Sequence, residues 1–113
     1  MTAHARLAAL AARIDADPAA LPAARHDGDA LAEAVGGEPG LRWHVAVVRA
    51  VMAAPPDGDA VRELYGELVD RYRAEPDLLA QLRPLGDEIR RREADGRLPS
   101  AMVVRSDRRP RRQ

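Results

Sequence analysis

A chain of 113 residues, 46% hydrophobic and 32% charged, is expected to form one globular domain with a single core of moderate size. It contains no Cys, which excludes disulfides, thiolate metal sites, iron–sulfur clusters and a cysteine nucleophile. It contains no Lys, which excludes a phosphate-loop lysine and Schiff-base chemistry.

Net charge is zero but unevenly spread. Residues 105–113 hold five Arg and one Asp, a net +4, and the body before them holds 13 Arg against 17 acids, a net −4. Basic charge carried wholly by Arg, with Ala about a fifth of the chain, is the composition of a GC-rich genome, expected here to be bacterial. Residues 1–10 lack the apolar run of a secretory signal. No window approaches the roughly 20 apolar residues that cross a bilayer, so a cytoplasmic protein with no membrane partner is expected.

In chain order, Thr2 is placed to cap a helix over residues 3–16, with Leu7, Leu10, Ala11 and Ile14 on one buried face. Asp17-Pro18 ends it, because the residue before Pro is pushed out of the α region. The stretch between Pro18 and Pro22 reads as a turn or one loose helical turn. Asp27-Gly28-Asp29 then opens a short helix running to Val35, which Gly36-Gly37 stops.

Pro39 begins a third helix, expected over residues 40–54. At 100° per residue, Leu41, Val45, Val48 and Met52 fall on one line, flanked by Val51 and His44. Trp43, Val47 and Ala50 cover much of the opposite side, which leaves only Arg42 and Arg49 as a polar stripe. A helix apolar nearly all round is either the centre of a bundle or a helix that also meets a partner.

Pro55-Pro56-Asp57-Gly58 reads as a loop. A fourth helix over residues 60–73 follows, with Val61, Leu64, Tyr65, Leu68 and Tyr72 inward and a Glu67–Arg71 pair on the water side. Pro76 starts a fifth helix that Pro84 kinks or cuts in two, and Asp95-Gly96 ends it. The expected fold is therefore all-α. It is a bundle of four to five helices over residues 1–97, with an extended Arg-rich tail over residues 98–113.

Little in the chain points to catalysis. Apart from Tyr, the hydroxyl nucleophiles are Thr2, Ser100 and Ser106, all near the termini. None of His4, His26 and His44 has a metal-ligand partner at i+3 or i+4, so no metal and no cofactor are expected. His44 reads as a half-buried histidine held by a carbonyl or carboxylate, and it is the one acid–base candidate should the chain be an enzyme. Asp27-Gly28-Asp29 and Asp57-Gly58-Asp59 lack the distal ligands of a calcium loop and read as helix caps.

The function expected is a non-catalytic protein–protein interaction module or small accessory subunit, whose partner is another protein or a second copy of itself. Trp43 admits a core or an interface position. With Val47, Arg42 and Arg49 it is the contact candidate on the body, since interface anchors are enriched in Trp and Arg. On the tail the candidates are Met102, Val103 and Val104, an apolar run, followed by Arg105, Arg108, Arg109, Arg111 and Arg112. The alternative is a nucleic-acid-associated small regulator that uses the Arg-rich tail on phosphates, with strong salt dependence.

Overall fold

The computed structural model describes residues 1–53 and 57–98. They form six α-helices and one 3-10 turn, with no strand among the described residues.

Helix α1 (Ala3–Ala16) starts where the Thr2 hydroxyl oxygen accepts the Ala5 N–H at 3.1 Å. Asp17 leaves the α region ahead of Pro18 and accepts the Ala19 N–H on its carboxylate, opening the 3-10 turn Pro18–Ala20. That turn runs directly into α2 (Leu21–Val35), so α2 begins six residues before the position expected from Asp27. Pro22 does not prevent this, because the first turn of a helix has no intrahelical acceptor for its N–H groups.

Gly36 and Gly37 both take positive φ, 65° and 57°. Two left-handed residues in succession reverse the chain so sharply that α3 (Gly37–Ala53) begins two residues after α2 ends. Asp57 caps α4 (Gly58–Arg71) by accepting the Ala60 N–H at 3.2 Å. The expected fifth helix is two pieces, α5 (Pro76–Ala80) and α6 (Arg83–Ala94), with Pro84 in the first turn of the second. Pro55 and Pro56 lie outside the described residues.

Helix α3 is the centre of the bundle. It packs against α1 and α2 on one side and against α4 and α5 on the other, and α4 packs on α6. Its apolar sides serve two separate cores. Trp43, Ala46 and Val47 face Leu7 and Ile14 of α1 and the alanines of α2. Leu41, Val48 and Met52 face Val61 and Leu68 of α4 and Leu82, Leu85 and Ile89 around α6. Most of the apolar excess on this helix is thus consumed inside the molecule. Tyr72 is buried and Tyr65 half-buried against the second core. Leu98 is only 3% exposed in that same core, with its carbonyl accepting from Arg62 Nη2 at 3.0 Å. Leu98 therefore packs with the bundle.

Candidate functional site

The four body residues expected to meet a partner part company. Trp43 is 0% exposed and Val47 3%. Of the two positions open to Trp43, core and interface, the core is the one it takes, and Val47 lies with it in the core shared by α1, α2 and α3. The reason is on α2 and the 3-10 turn before it, where Ala20, Ala24, Gly28 and Ala32 recur every four residues and are all buried. This seam of small residues gives the indole a bed between helices. Arg42 and Arg49 do lie at the surface, Arg42 beside Glu38 at 3.5 Å and Arg49 beside Glu88 at 3.2 Å. Met102, Val103, Val104, Arg105, Arg108, Arg109, Arg111 and Arg112 lie outside the described residues.

The capping role expected of Asp27-Gly28-Asp29 is also corrected, because the tripeptide lies inside α2. A Cβ on Gly28 would stand 2.0 Å from the Trp43 ring, so the missing side chain is what admits the indole. Asp29 accepts the Trp43 Nε1–H on Oδ1 at 2.8 Å and the Arg25 Nε–H on Oδ2 at 3.1 Å. A buried indole N–H requires such a partner. The second Asp-Gly-Asp, at 57–59, does act as a cap.

Two grooves flank α3. The first is an open trough of about 590 Å³. Its floor is Leu7, Ala8, Ala11 and Ala12 of α1, Val45 and Ala46 of α3, and Pro84 and Leu85 at the start of α6. Short alanine side chains on α1 are what keep this wall low. His4, Asp15, Glu38, Arg42, Arg49 and Gln81 form the polar rim. Arg42 and Arg49 are seven residues apart on one face of α3, about 10 Å along its axis. Their partners Glu38 and Glu88 form exposed or half-exposed pairs, which solvent makes weak and exchangeable.

The second groove, about 640 Å³, lies between α2, α3 and α4 over Val47, Val48, Leu64 and Leu68. Its walls carry Arg25, Asp29 and Glu33 from α2 and Glu67, Asp70 and Arg71 from α4. Arg71 reaches across the opening to Glu33 at 2.9 Å rather than pairing with Glu67 in its own helix as expected. His44 is half-buried here. Burial pushes its pKa below the ordinary 6.5. The Arg71 charge pushes the same way, Asp29 opposes, Arg25 lowers it further and Glu33 raises it. Burial likewise raises the Tyr72 hydroxyl above its usual value, against the nearby Arg71.

Among the described residues no three His, Asp or Glu side chains are grouped to hold a metal ion. No described helix is long and apolar enough to cross a membrane. No family model, curated protein or solved structure matches the chain.

Sequence reasoning did not mark Ala8 and Ala12 in the trough, or Asp29 as the indole's acceptor. Signals for both exist. The water side of α1 carries Ala5, Ala8, Ala9, Ala12 and Ala16 where a solvated face is usually charged. The four-residue spacing of Ala20, Ala24, Gly28 and Ala32 announces a helix face that something large approaches closely.

Proposed function

We propose that this protein is a non-catalytic interaction module, a small accessory subunit that receives an amphipathic helix of another protein in the trough between α1 and α3. The observation that carries the reading is the apolar floor of that trough beside Arg42 and Arg49. A guest helix would set apolar side chains on Ala8, Ala12 and Val45. Carboxylates seven residues apart on the guest would match the spacing of the two arginines and displace Glu38 and Glu88 from them. Within the trough, Arg42, Arg49 and Val45 are the contact residues of α3. The tail, Met102 to Arg112, adds a second contact to an acidic surface of the same partner.

The test is co-purification from the native host with the tagged full chain, compared across three variants. Ala8→Glu with Ala12→Glu fills the trough at exposed helical positions and should abolish recovery of a specific partner. Arg42→Ala with Arg49→Ala should weaken it. Ala9→Glu, on the same helix but outside the trough, should leave it intact. A partner recovered equally with all three would remove the trough from the reading.

A further inference from the structure

The tail carries +4 and the body −4, and the two grooves differ in how they would receive that charge. The rim of the α1–α3 trough is balanced, Asp15 and Glu38 against Arg42 and Arg49. The α2–α4 groove is not, with four carboxylates, Asp29, Glu33, Glu67 and Asp70, against Arg25 and Arg71. Arg73, which is not part of the lining, takes up one of them, since it pairs with Asp70. Glu67 pairs with none of the described cations. The groove also shows what it accepts. Arg71 lays its guanidinium from the α4 wall to Glu33 on the α2 wall, so a guanidinium fits across the opening.

The last described residue is held on the same helix. Leu98 is buried, and its carbonyl is held by Arg62 of α4. From Arg62 to Glu67 and Asp70 is about 8 to 12 Å along the helix axis, at 1.5 Å per residue. Arg105 to Arg112 follow Leu98 by seven to fourteen residues, a reach of at most roughly 25 to 50 Å.

We propose that the chain's own residues 105–112 dock in cis in the groove between α2 and α4, with Arg guanidiniums pairing with Glu67 on one wall and competing with Arg71 for Glu33 on the other. Docking there holds the tail on the body until an acidic partner surface competes for the same arginines. This uses a different surface from the α1–α3 trough, and its test reads the tail alone.

The chain has no Cys, so Ser106→Cys gives one attachment point for a nitroxide spin label. In the labelled chain at about 0.1 M salt, where the screening length is about 10 Å, the amide signals of Glu33, His44 and Glu67 should lose at least about half their intensity. They should recover at about 1 M salt, where that length is about 3 Å. They should also recover with Glu33→Gln, Glu67→Gln and Asp70→Asn together, three exposed positions, with the remaining amide spectrum checked for an unchanged fold. Asp15→Asn with Glu38→Gln in the other groove should change nothing. Three results would each overturn the proposal: no broadening in the α2–α4 groove, broadening centred on the trough, or broadening indifferent to the triple substitution. A fourth is broadening that appears when labelled chain is mixed with isotope-enriched unlabelled chain, which would show that the tail reaches a second copy.

Discussion

Trp43 and Asp29 lie on different helices, yet the indole Nε1–H points at Asp29 Oδ1 from 2.8 Å, and the ring covers the Cα of Gly28 next door. One residue of α2 makes room for the indole and the next satisfies its only polar atom. Asp29 is half-buried and also holds Arg25, so the bond sits at the edge of the core, between the largest buried side chain and the charged wall of the α2–α4 groove.

Removing the acceptor should therefore cost more than removing a surface charge. Asp29→Ala leaves a buried N–H without a partner, and a loss of about 1–3 kcal/mol is expected. Asp29→Asn keeps an oxygen in place and should cost under about 1 kcal/mol. Urea denaturation followed by Trp43 fluorescence reads both. Equal losses for the two variants would show that charge, not the hydrogen bond, is what Asp29 contributes.

Two glycines inside helices should answer the same substitution with opposite signs. Gly66, exposed on α4, has nothing within 4 Å of an added Cβ. Gly66→Ala should stabilise by about 0.5–1 kcal/mol through helix propensity alone. Gly28→Ala gains the same propensity but drives a Cβ to 2.0 Å from a ring that is enclosed on all sides. Overpacking of this kind costs about 1–3 kcal/mol or more, so the net change should be a loss. A stabilised Gly28→Ala protein would mean that the indole has room to move. Trp43→Leu in the Gly28→Ala background should recover part of the loss, because the pair is directly coupled.

The contrast between the two Asp-Gly-Asp tripeptides explains where the sequence was legible and where it was not. Thr2, Asp57, Gly36, Pro76 and Pro84 act through chain neighbours within four residues, and each does what its local pattern implies. The all-α class and the central place of α3 follow from periodicity, which is local too. Asp27 has the same neighbours as Asp57 yet lies inside a helix and caps none, and Asp29 beside it finds its partner fourteen residues away on another helix. A short acid beside Gly reads alike in both settings. The sequence leaves Trp43 open for the same reason. Its position opposite Leu41 and Val48 is periodic and readable, but whether that side meets solvent, a partner or α2 depends on the small-residue seam that receives it. Arg71 repeats the lesson on the surface, passing over Glu67 in its own helix for Glu33 in another.

Not every ion pair on this surface should matter equally. Arg73–Asp70 joins two side chains more than 70% exposed, and Arg73→Ala should change stability by under about 0.5 kcal/mol. Arg62 is different. It meets Glu93 Oε2 at 2.5 Å, lies 3.6 Å from Asp59, and donates to the Leu98 carbonyl. Arg62→Met keeps much of the stem but frees the last turn of α6 and Leu98, and should cost about 1–2 kcal/mol after allowance for partial exposure. Faster hydrogen exchange at Arg97, whose N–H bonds to the Arg92 carbonyl, should accompany the loss in Arg62→Met and not in Arg73→Ala.

His44 should make stability depend on pH in a defined direction. Its folded pKa lies below the ordinary 6.5, chiefly because burial disfavours the charged ring and secondarily because Arg71 repels the added proton. In the window between the folded value and 6.5, the unfolded chain binds a proton at this site that the folded chain does not. Stability is therefore full above that window and falls as pH drops through it. Below the folded value His44 is charged in both states, and its contribution levels off. His44→Gln removes the titration while keeping a polar side chain. Urea midpoints measured between about pH 7.5 and 5, above the range where carboxylates dominate, should fall less steeply for His44→Gln than for the parent chain. Parallel slopes would mean that the ring takes up its proton in the fold as easily as in water. That would mean that solvent in the groove over Val47 and Leu64 hydrates the charged ring fully.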